Sequence, residues 1–301
     1  MCGIVGLYLK NPQLEKNLGE LFAPMLIEMT DRGPDSAGFA IYRNEVAEGL
    51  IKLTLQHSNT NYDWNGLSVS LGDQLGAKTA LSRNATSAVL QLEGNERDAR
   101  AVVQEHFPEV RIMSIGRSIE ILKEKGLPTA VSERFNLPNM QGSHIIGHTR
   151  MATESAVTTE GSHPFSTGMD LCLVHNGSLS NHNRMRAWLQ RRGIQFETDN
   201  DTEVAAGYLS WRLQEGATLQ EALEAAVVDL DGFYTFAIGT LNGFAVLRDP
   251  IACKQATIVE TDDYVAMATE YRSLARLPDI QNAAIWEPEP GQVYSWGRAV
   301  A

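Results

Sequence analysis

A cysteine at the second position, followed by a glycine-containing apolar run, is the feature of this chain best suited to chemistry. Cys2 becomes the N-terminal residue if Met1 is removed, and its α-amine then lies within reach of its own sulfur. An α-amine with an ordinary pKa of about 8 can act as a general base at neutral pH, and a thiol needs little help to become a nucleophile. Residue 2 therefore predicts a nucleophile that carries its own base. The alternative is a small apolar residue that opens a buried strand.

Composition restricts the class of protein. The 301 residues carry a formal net charge of −12 and 43% hydrophobic residues, which is enough for a globular core and argues against nucleic acid or an anionic membrane as a partner. The three cysteines, Cys2, Cys172 and Cys253, have no paired spacing, which indicates a reducing compartment. The sequence has neither a signal peptide nor a membrane-spanning apolar run, so we expect a cytoplasmic protein.

Short apolar segments and helical patterns follow one another along the chain, which predicts an α+β fold. Strands are predicted at 2–8, 37–42, 51–56, 145–150, 171–175, 256–260, 264–268 and 292–296, and helices at 14–29, 181–192, 201–214 and 270–276. Thr218 and Glu221 form a capping-box pattern that predicts a further helix start. The pair Asn242-Gly243 between two apolar runs predicts a hairpin.

The interval from His57 to Gln141 differs in texture from the segments around it. Strand patterns at 87–92 and 110–114 alternate with helical patterns at 96–106 and 119–125. This order predicts a small α/β subdomain, residues 57–141, inserted into a domain that spans residues 2–301.

Several glycine-rich and polar segments occur in a fixed order. They are residues 1–6 (MCGIVG), 32–38 (RGPDSAG), 147–153 (GHTRMAT), 163–165 (HPF), 175–181 (HNGSLSN) and 201–203 (DTE). Together they resemble the class II glutamine amidotransferase family, whose glutaminase domain is an N-terminal-nucleophile hydrolase. The resemblance implies a four-layer αββα sandwich, with the 57–141 subdomain as an insertion, and L-glutamine as the substrate.

The resemblance also implies catalytic and binding roles. Cys2 attacks the side-chain amide of glutamine, and the Asn176 side chain and the Gly177 N–H hold the developing oxyanion. Arg150 binds the α-carboxylate, for which a forked guanidinium is well suited, and Asp201 binds the α-ammonium.

Three further residues complete the expected site. The resemblance places the Thr153 hydroxyl near the carboxylate end of the substrate. It gives Arg32 and His163 supporting roles beside the nucleophile.

Each site residue has a structural explanation when it is taken alone. Asn176-Gly177 is a common turn pair, Arg150 could end a surface strand, and Asp201 could cap a helix. Their joint occurrence with Cys2 favours the catalytic interpretation.

Four histidines raise the alternative of a metal site. His144, His148, His163 and His175 lie in or near predicted core strands. The sequence has no helical His-x-x-x-His with a carboxylate between the histidines and no Cys-x-x-Cys. We therefore expect core or supporting histidines and no catalytic metal.

The partner is predicted from the end of the chain and from two further segments. Little sequence follows Trp296, so no synthase domain is expected in this chain. Residues 153–157 and 264–272 are similar to stand-alone amidotransferase subunits of glutamate-synthase-like complexes, such as N-methylglutamate synthase. The resemblance implies a hetero-oligomer that passes ammonia to separate synthase subunits. It implies no cofactor in this chain and flavin and iron–sulfur centres in the partners. After Arg248-Asp249-Pro250 the chain departs from the family pattern, which indicates an unusual acceptor.

The predicted function is a glutaminase subunit that forms a γ-glutamyl thioester on Cys2. One alternative is a catalytically idle regulatory or scaffolding subunit, which the 57–141 insertion favours. Another is an N-terminal-nucleophile amidase for a different amide. Arg150 and Asp201 argue against the latter, because that pair suits a free α-amino acid.

Overall fold

The computed structural model describes residues 2–152 and 157–298, and within them the chain forms strands, α-helices and short 3₁₀ turns. The strands are β1 (Gly3–Leu9), β2 (Ser36–Tyr42), β3 (Leu50–Gln56), β4 (Thr79–Asn84), β5 (Ser87–Glu93), β6 (Arg111–Gly116), β7 (Ile119–Lys125), β8 (His144–Arg150), β9 (Phe165–Gly168), β10 (Leu171–Leu179), β11 (Gly232–Thr240), β12 (Gly243–Arg248), β13 (Thr257–Glu260), β14 (Tyr264–Ala268), β15 (Ala284–Trp286) and β16 (Val293–Gly297). The helices are α1 (Leu18–Glu28), α2 (Trp64–Leu75), α3 (Glu96–His106), α4 (Pro128–Arg134), α5 (His182–Gln190), α6 (Asp201–Gln214) and α7 (Leu219–Asp229).

Two larger sheets carry the segments that the sequence singles out. One has seven strands in the order β15-β13-β14-β1-β8-β2-β7, and the other has five in the order β16-β12-β11-β10-β9. In the first sheet β1 runs antiparallel to β8, with Gly3 opposite Thr149. The start of β1 at Cys2 therefore lies beside the end of β8 at Arg150.

Three apolar clusters show how the layers pack. One face of the seven-stranded sheet packs on α1 and α4, with Phe22 and Phe39 in the shared core. Its other face meets the five-stranded sheet through side chains such as Ile146 and Val174. The far side of the five-stranded sheet packs on α5, α6 and α7. The alternation of apolar residues along the central strands supplies both faces.

A third sheet, in the order β4-β5-β3-β6, forms a separate small unit with α2 and α3. Its core includes Trp64, Leu90 and Val103. The unit runs from Leu50 to Gly116, whereas the predicted interval runs from 57 to 141, so the unit begins earlier and ends earlier than predicted. The division of the chain into domains stays a prediction.

The helix predicted over 119–125 is wrong, because this segment is β7 and pairs with β2 along its whole length. Three of its four charged side chains, Glu120, Lys123 and Glu124, are buried rather than exposed on a helix. Nζ of Lys52 donates to Glu120 at 3.1 Å, and Nζ of Lys123 donates to backbone carbonyls of Glu160, Ser162 and Pro164 at 3.1, 2.7 and 3.1 Å. Burial lowers the pKa of Lys123 to about 8.

Several local predictions are confirmed. Helices α3 and α6 and strand β14 have the predicted bounds. The capping box of Thr218 and Glu221 opens α7, and the Asn242-Gly243 pair joins β11 to β12. The predicted helix at 14–29 begins as a 3₁₀ turn at Pro12–Asn17, and only Tyr271–Ser273 is helical within 270–276, again as 3₁₀. In the described part of the chain, every helix is too short or too polar to cross a bilayer.

Candidate active site

Cys2 lies at the head of β1 with its carbonyl oxygen held from two sides. Nε of Arg32 and Nδ2 of Asn176 each donate to this oxygen at 3.2 Å. The residue is partly exposed, and its sulfur lies 4.0 Å from the carbonyl oxygen of Met151. The residue is therefore partly accessible, and its backbone carbonyl is held in place.

The other two cysteines have different surroundings. Cys253 is exposed. Cys172 is buried between the sheets, and burial raises the pKa of its thiol to about 12, so it is un-ionised at neutral pH.

Arg32 is oriented by an acidic residue that the sequence analysis did not single out. Glu270 accepts from Nη1 of Arg32 at 2.6 Å and pairs with Nε of Arg272 at 2.7 Å. The hydrogen bond from Arg32, followed by the charge of Arg272, holds the pKa of Glu270 below its ordinary value. Glu270 directly follows Thr269, whose hydroxyl accepts from the N–H of Ile4 at 2.8 Å. The start of β1 is thus anchored by this segment at two places.

Asn176 and Gly177 lie near the end of β10 in the five-stranded sheet. Asn176 is 4% exposed and points its amide to Cys2 across the gap between the sheets. Gly177 has φ +145°, and a Cβ there would collide with the Phe233 carbonyl oxygen. The close backbone approach at this position therefore requires glycine.

Arg150 ends β8 directly beside the start of β1, and it is 7% exposed. The turn that follows α1 packs on this strand end. The N–H of Asp35 donates to the Arg150 carbonyl at 3.1 Å, and the Asp35 carboxylate accepts from the N–H of Ala152 at 2.8 Å. A Cβ on Gly161 would lie 3.4 Å from Nη1 of Arg150, so the 157–164 segment passes beside the guanidinium. Thr153 lies outside the described residues.

Asp201 is the first residue of α6, and the N-cap is Asn200 rather than Asp201. Its Oδ2 accepts from the N–H of Leu179 at 3.0 Å, and its Oδ1 lies 3.6 Å from Nδ1 of His175. Burial alone raises the pKa of Asp201, but His175, the Leu179 N–H and the nearby His182 outweigh it and lower the pKa to about 2. Asp201 is therefore ionised at neutral pH and tied to the strand that carries Asn176.

Three of the four histidines gather behind these residues. The rings of His148 and His163 are 3.9 Å apart, and Nε2 of His148 contacts the His175 carbonyl at 3.1 Å. Burial lowers the pKa of His148 to about 3 and takes that of His163 well below its ordinary value, so both rings are neutral. His144 stands at the opposite end of β8, stacked on Tyr42.

Among the described residues, no group of three histidine, cysteine or acidic side chains is arranged to hold a metal ion. The expectation of no catalytic metal stays a prediction.

A sizeable cavity lies elsewhere, and Cys2, Arg32 and Asn176 do not line it. It has a volume of about 870 Å³ and separates α3 of the small unit from the 193–198 loop and α6. Lys123 and Glu203 form part of its wall.

The structure thus brings Cys2, Arg32 and Asn176 into direct contact and places Arg150 beside them. Asp201 is linked to this group through its hydrogen bond to Leu179 of β10, and His163 through its ring contact with His148. Sequence reasoning missed Glu270 and Thr202. Both residues lie inside segments that carry the resemblance, 201–203 and 264–272. The pairing of Glu270 with Arg32 gave no local signal, because the two residues are 238 positions apart in the sequence.

Comparison with known proteins identifies the family of this chain. A family model described as a glutamine amidotransferase domain matches residues 148–276. The glutamine amidotransferase-like protein GlxB of Rhizobium meliloti is 56% identical over 297 residues, which is 98% of each chain. A second relative, from Methanothermobacter thermautotrophicus, is 31% identical over 97% of this chain and 98% of that protein. The solved glutamine phosphoribosylpyrophosphate amidotransferase of B. subtilis shares the fold, with a TM-score of 0.63 at 20% identity, over 98% of this chain and 47% of that one.

Proposed function

Because this chain belongs to the class II glutamine amidotransferase family, we propose that it hydrolyses L-glutamine to glutamate and ammonia through a thioester on Cys2. The observation that carries the proposal is the position of Cys2, which is partly exposed at a strand start and held by both Arg32 and Asn176. A structural cysteine that merely opened a buried strand would need no such clamp and no exposure.

The first step is attack of the sulfur on the amide carbon of the substrate. Removal of Met1 frees the α-amine of Cys2, which takes the thiol proton and returns it to the leaving nitrogen. A carbon–sulfur bond forms, the carbon–nitrogen bond breaks, and ammonia departs. Water then cleaves the γ-glutamyl thioester, which releases glutamate and restores the thiol.

The oxyanion of the tetrahedral intermediate is stabilised by Asn176 and Gly177. One N–H of the Asn176 amide is directed at the Cys2 carbonyl, and the other is available to a substrate oxygen beside the sulfur. Loss of one such donor typically costs about 3 kcal/mol of barrier. The glycine at 177 lets the backbone come close without a Cβ.

Substrate selection is assigned to two charged groups of opposite sign. Arg150, at the end of β8, binds the α-carboxylate, and Asp201, which is ionised, binds the α-ammonium. Thr153 adds a hydroxyl to the carboxylate side, and His163 supports the 157–164 segment beside Arg150. This combination suits a free α-amino acid and disfavours other amides.

We propose the four-layer αββα sandwich as the scaffold of this site. The packing of α1 and α4, then two facing sheets, then α5, α6 and α7 supports it. The small unit with the β4-β5-β3-β6 sheet is the insertion in this scaffold.

The ammonia is delivered to a separate synthase subunit of a glutamate-synthase-like or N-methylglutamate synthase complex. This part of the proposal rests on the resemblance of segments 153–157 and 264–272. Any flavin and iron–sulfur chemistry belongs to those partners, and this chain contributes no cofactor.

Labelling with an electrophilic glutamine analogue tests the proposal. Intact chain with Met1 removed is incubated with a diazoketone analogue of glutamine, and the adduct is located by peptide mass spectrometry. We expect it on Cys2, with protection by free glutamine. Exposed Cys253 serves as the internal control, since a general alkylating agent modifies it with or without glutamine.

Two outcomes overturn the assignment. Adducts confined to Cys253 exclude Cys2 as the nucleophile. Absence of glutamine turnover, both alone and with candidate synthase subunits, favours the catalytically idle regulatory or scaffolding subunit instead.

A further inference from the structure

The hydroxyl of Thr202 lies between two imidazole rings. Its Oγ1 is 2.6 Å from Nε2 of His163 and 3.1 Å from Nδ1 of His175, and the residue is fully buried. Thr202 directly follows Asp201 in the chain, and His175 directly precedes Asn176. The hydroxyl therefore belongs to the residue next to Asp201, a proposed binding residue, and it contacts the residue next to Asn176, a proposed catalytic residue.

A hydroxyl carries one hydrogen, so the two contacts cannot be equivalent. The Asp201 carboxylate, 3.6 Å from Nδ1 of His175, is ionised and favours a hydrogen on that nitrogen. His175 then donates to Thr202, and the Thr202 hydroxyl donates to Nε2 of His163. The hydrogen bonds therefore run in one direction, from His175 through Thr202 to His163.

A contact of His148 with the backbone of His175 supports this arrangement of hydrogen bonds. Nε2 of His148 faces the His175 carbonyl oxygen at 3.1 Å, so His148 carries its hydrogen on Nε2. Within the described residues, no partner meets Nδ1 of His163 or Nε2 of His175. The polar contacts of these two rings are thus made on the sides that face Thr202, and their orientation depends on it.

The 163 ring also connects to the other end of the substrate site. His163 belongs to the 157–164 segment, in which Gly161 packs beside the Arg150 guanidinium. The Lys123 ammonium holds the carbonyl groups of this same segment from its other side. A change at Thr202 is therefore expected to affect both α6, which carries Asp201, and the 157–164 segment, which lies beside Arg150.

Building on the glutaminase function proposed above, we propose that Thr202 is a positioning residue. Its hydroxyl sets the tautomers of His163 and His175 and holds α6 against β10 and the 157–164 segment. The Asp201 carboxylate is thereby kept at the place where it meets the substrate's α-ammonium. Thr202 touches neither the substrate nor the sulfur in this assignment, so it acts on substrate binding and not on the chemical step.

Two variants of one residue test this role. Thr202→Val keeps the branched shape and removes the hydroxyl, whereas Thr202→Ser keeps the hydroxyl. We expect Thr202→Val to raise KM for glutamine about tenfold with kcat within about threefold of wild type, and Thr202→Ser to restore KM to within about threefold. Alkylation of Cys2 by iodoacetamide, which has no α-amino-acid group, is expected to proceed at the wild-type rate in both variants.

The wild-type turnover separates this proposal from the previous one. If the wild-type chain, alone or with partners, does not hydrolyse glutamine, the proposed function fails. If the wild-type chain is active and Thr202→Val has the wild-type KM, or loses kcat and alkylation together, the positioning role fails.

A measurement on the unmodified chain covers the case in which Thr202→Val does not fold. In protein labelled with ¹⁵N-histidine, the ring-nitrogen shifts report which nitrogen carries the hydrogen. We expect hydrogen on Nδ1 of His175 and on Nε2 of His148, and none on Nε2 of His163. Hydrogen on Nε2 of His163 would reverse the direction of these hydrogen bonds and overturn the assignment.

Discussion

Nδ2 of Asn176 donates a hydrogen bond to the carbonyl oxygen of Cys2 at 3.2 Å, and this contact joins the two larger sheets at the site. Cys2 precedes the first strand of one sheet, and Asn176 belongs to β10 of the other. The nucleophile and the proposed oxyanion donor therefore keep their separation only while the two sheets stay packed face to face.

Asn176→Ala is expected to lower kcat by about 10²–10³-fold, because it removes both the clamp on Cys2 and the oxyanion donor. Steady-state glutamine hydrolysis measures the change. Asn181→Ala is the matched control, since Asn181 is also a buried amide but bonds the backbone of Asp229 and Asp231 away from Cys2. Equal losses of kcat in both variants would contradict a specific role for Asn176.

Gly177→Ala is expected to destabilise the fold by several kcal/mol, because it adds a strained backbone conformation and a steric clash. The φ of +145° and the Phe233 carbonyl leave no room for a Cβ. Gly193→Ala is the control, because Gly193 has φ +89° but no atom within 4 Å of its added Cβ. Urea unfolding should show the larger loss for Gly177→Ala, and equal losses would show that the close approach does not matter.

Asp201→Asn is expected to remove a pH-dependent contribution to stability. The pKa of Asp201 is lowered from 3.8 to about 2 in the folded protein, so its contribution is fully present above the ordinary pKa and is lost as the pH falls through about 2. The shift corresponds to about 2 kcal/mol. Urea unfolding at pH about 6 and at pH about 2 measures the difference between wild type and variant, which should shrink at the lower pH. Asp262→Asn, on an exposed turn, is the control for the removal of one carboxylate.

Glu270→Gln is expected to reduce kcat/KM about fivefold, because it weakens the ion pair that orients Arg32 toward the Cys2 carbonyl. Glu260→Gln breaks a comparable ion pair with Lys10, at the end of β1 remote from Cys2, and serves as the control. Parallel kinetics on the two variants provide the measurement. An unchanged kcat/KM in Glu270→Gln would show that Arg32 needs no acidic partner.

Local sequence patterns were sufficient for the elements whose stability depends on neighbouring residues. The bounds of α6, the capping box of Thr218 and the hairpin at Asn242-Gly243 all follow from interactions across a few positions. The ordered motifs were also sufficient to indicate the family, because each motif keeps its residue types together in the chain.

Strand β7 shows where local patterns fail. Lys123 and Glu120 are charged, which is typical of a solvated helix face, yet both are buried against partners from distant segments. No window of a few residues contains the carbonyl groups that stabilise Lys123 or the lysine that neutralises Glu120. The pairing of β7 with β2 decides the outcome.

The sequence by itself determined which residue types are available, namely a cysteine next to the start, an asparagine–glycine pair, and an arginine and an aspartate of opposite charge. Only the tertiary structure decided that Asn176 reaches Cys2, that Glu270 orients Arg32, and that Thr202 lies between two histidine rings. The physical reason is distance along the chain. Each of these contacts joins segments separated by tens to hundreds of residues, and the packing of the two sheets with their helices brings them within hydrogen-bonding range.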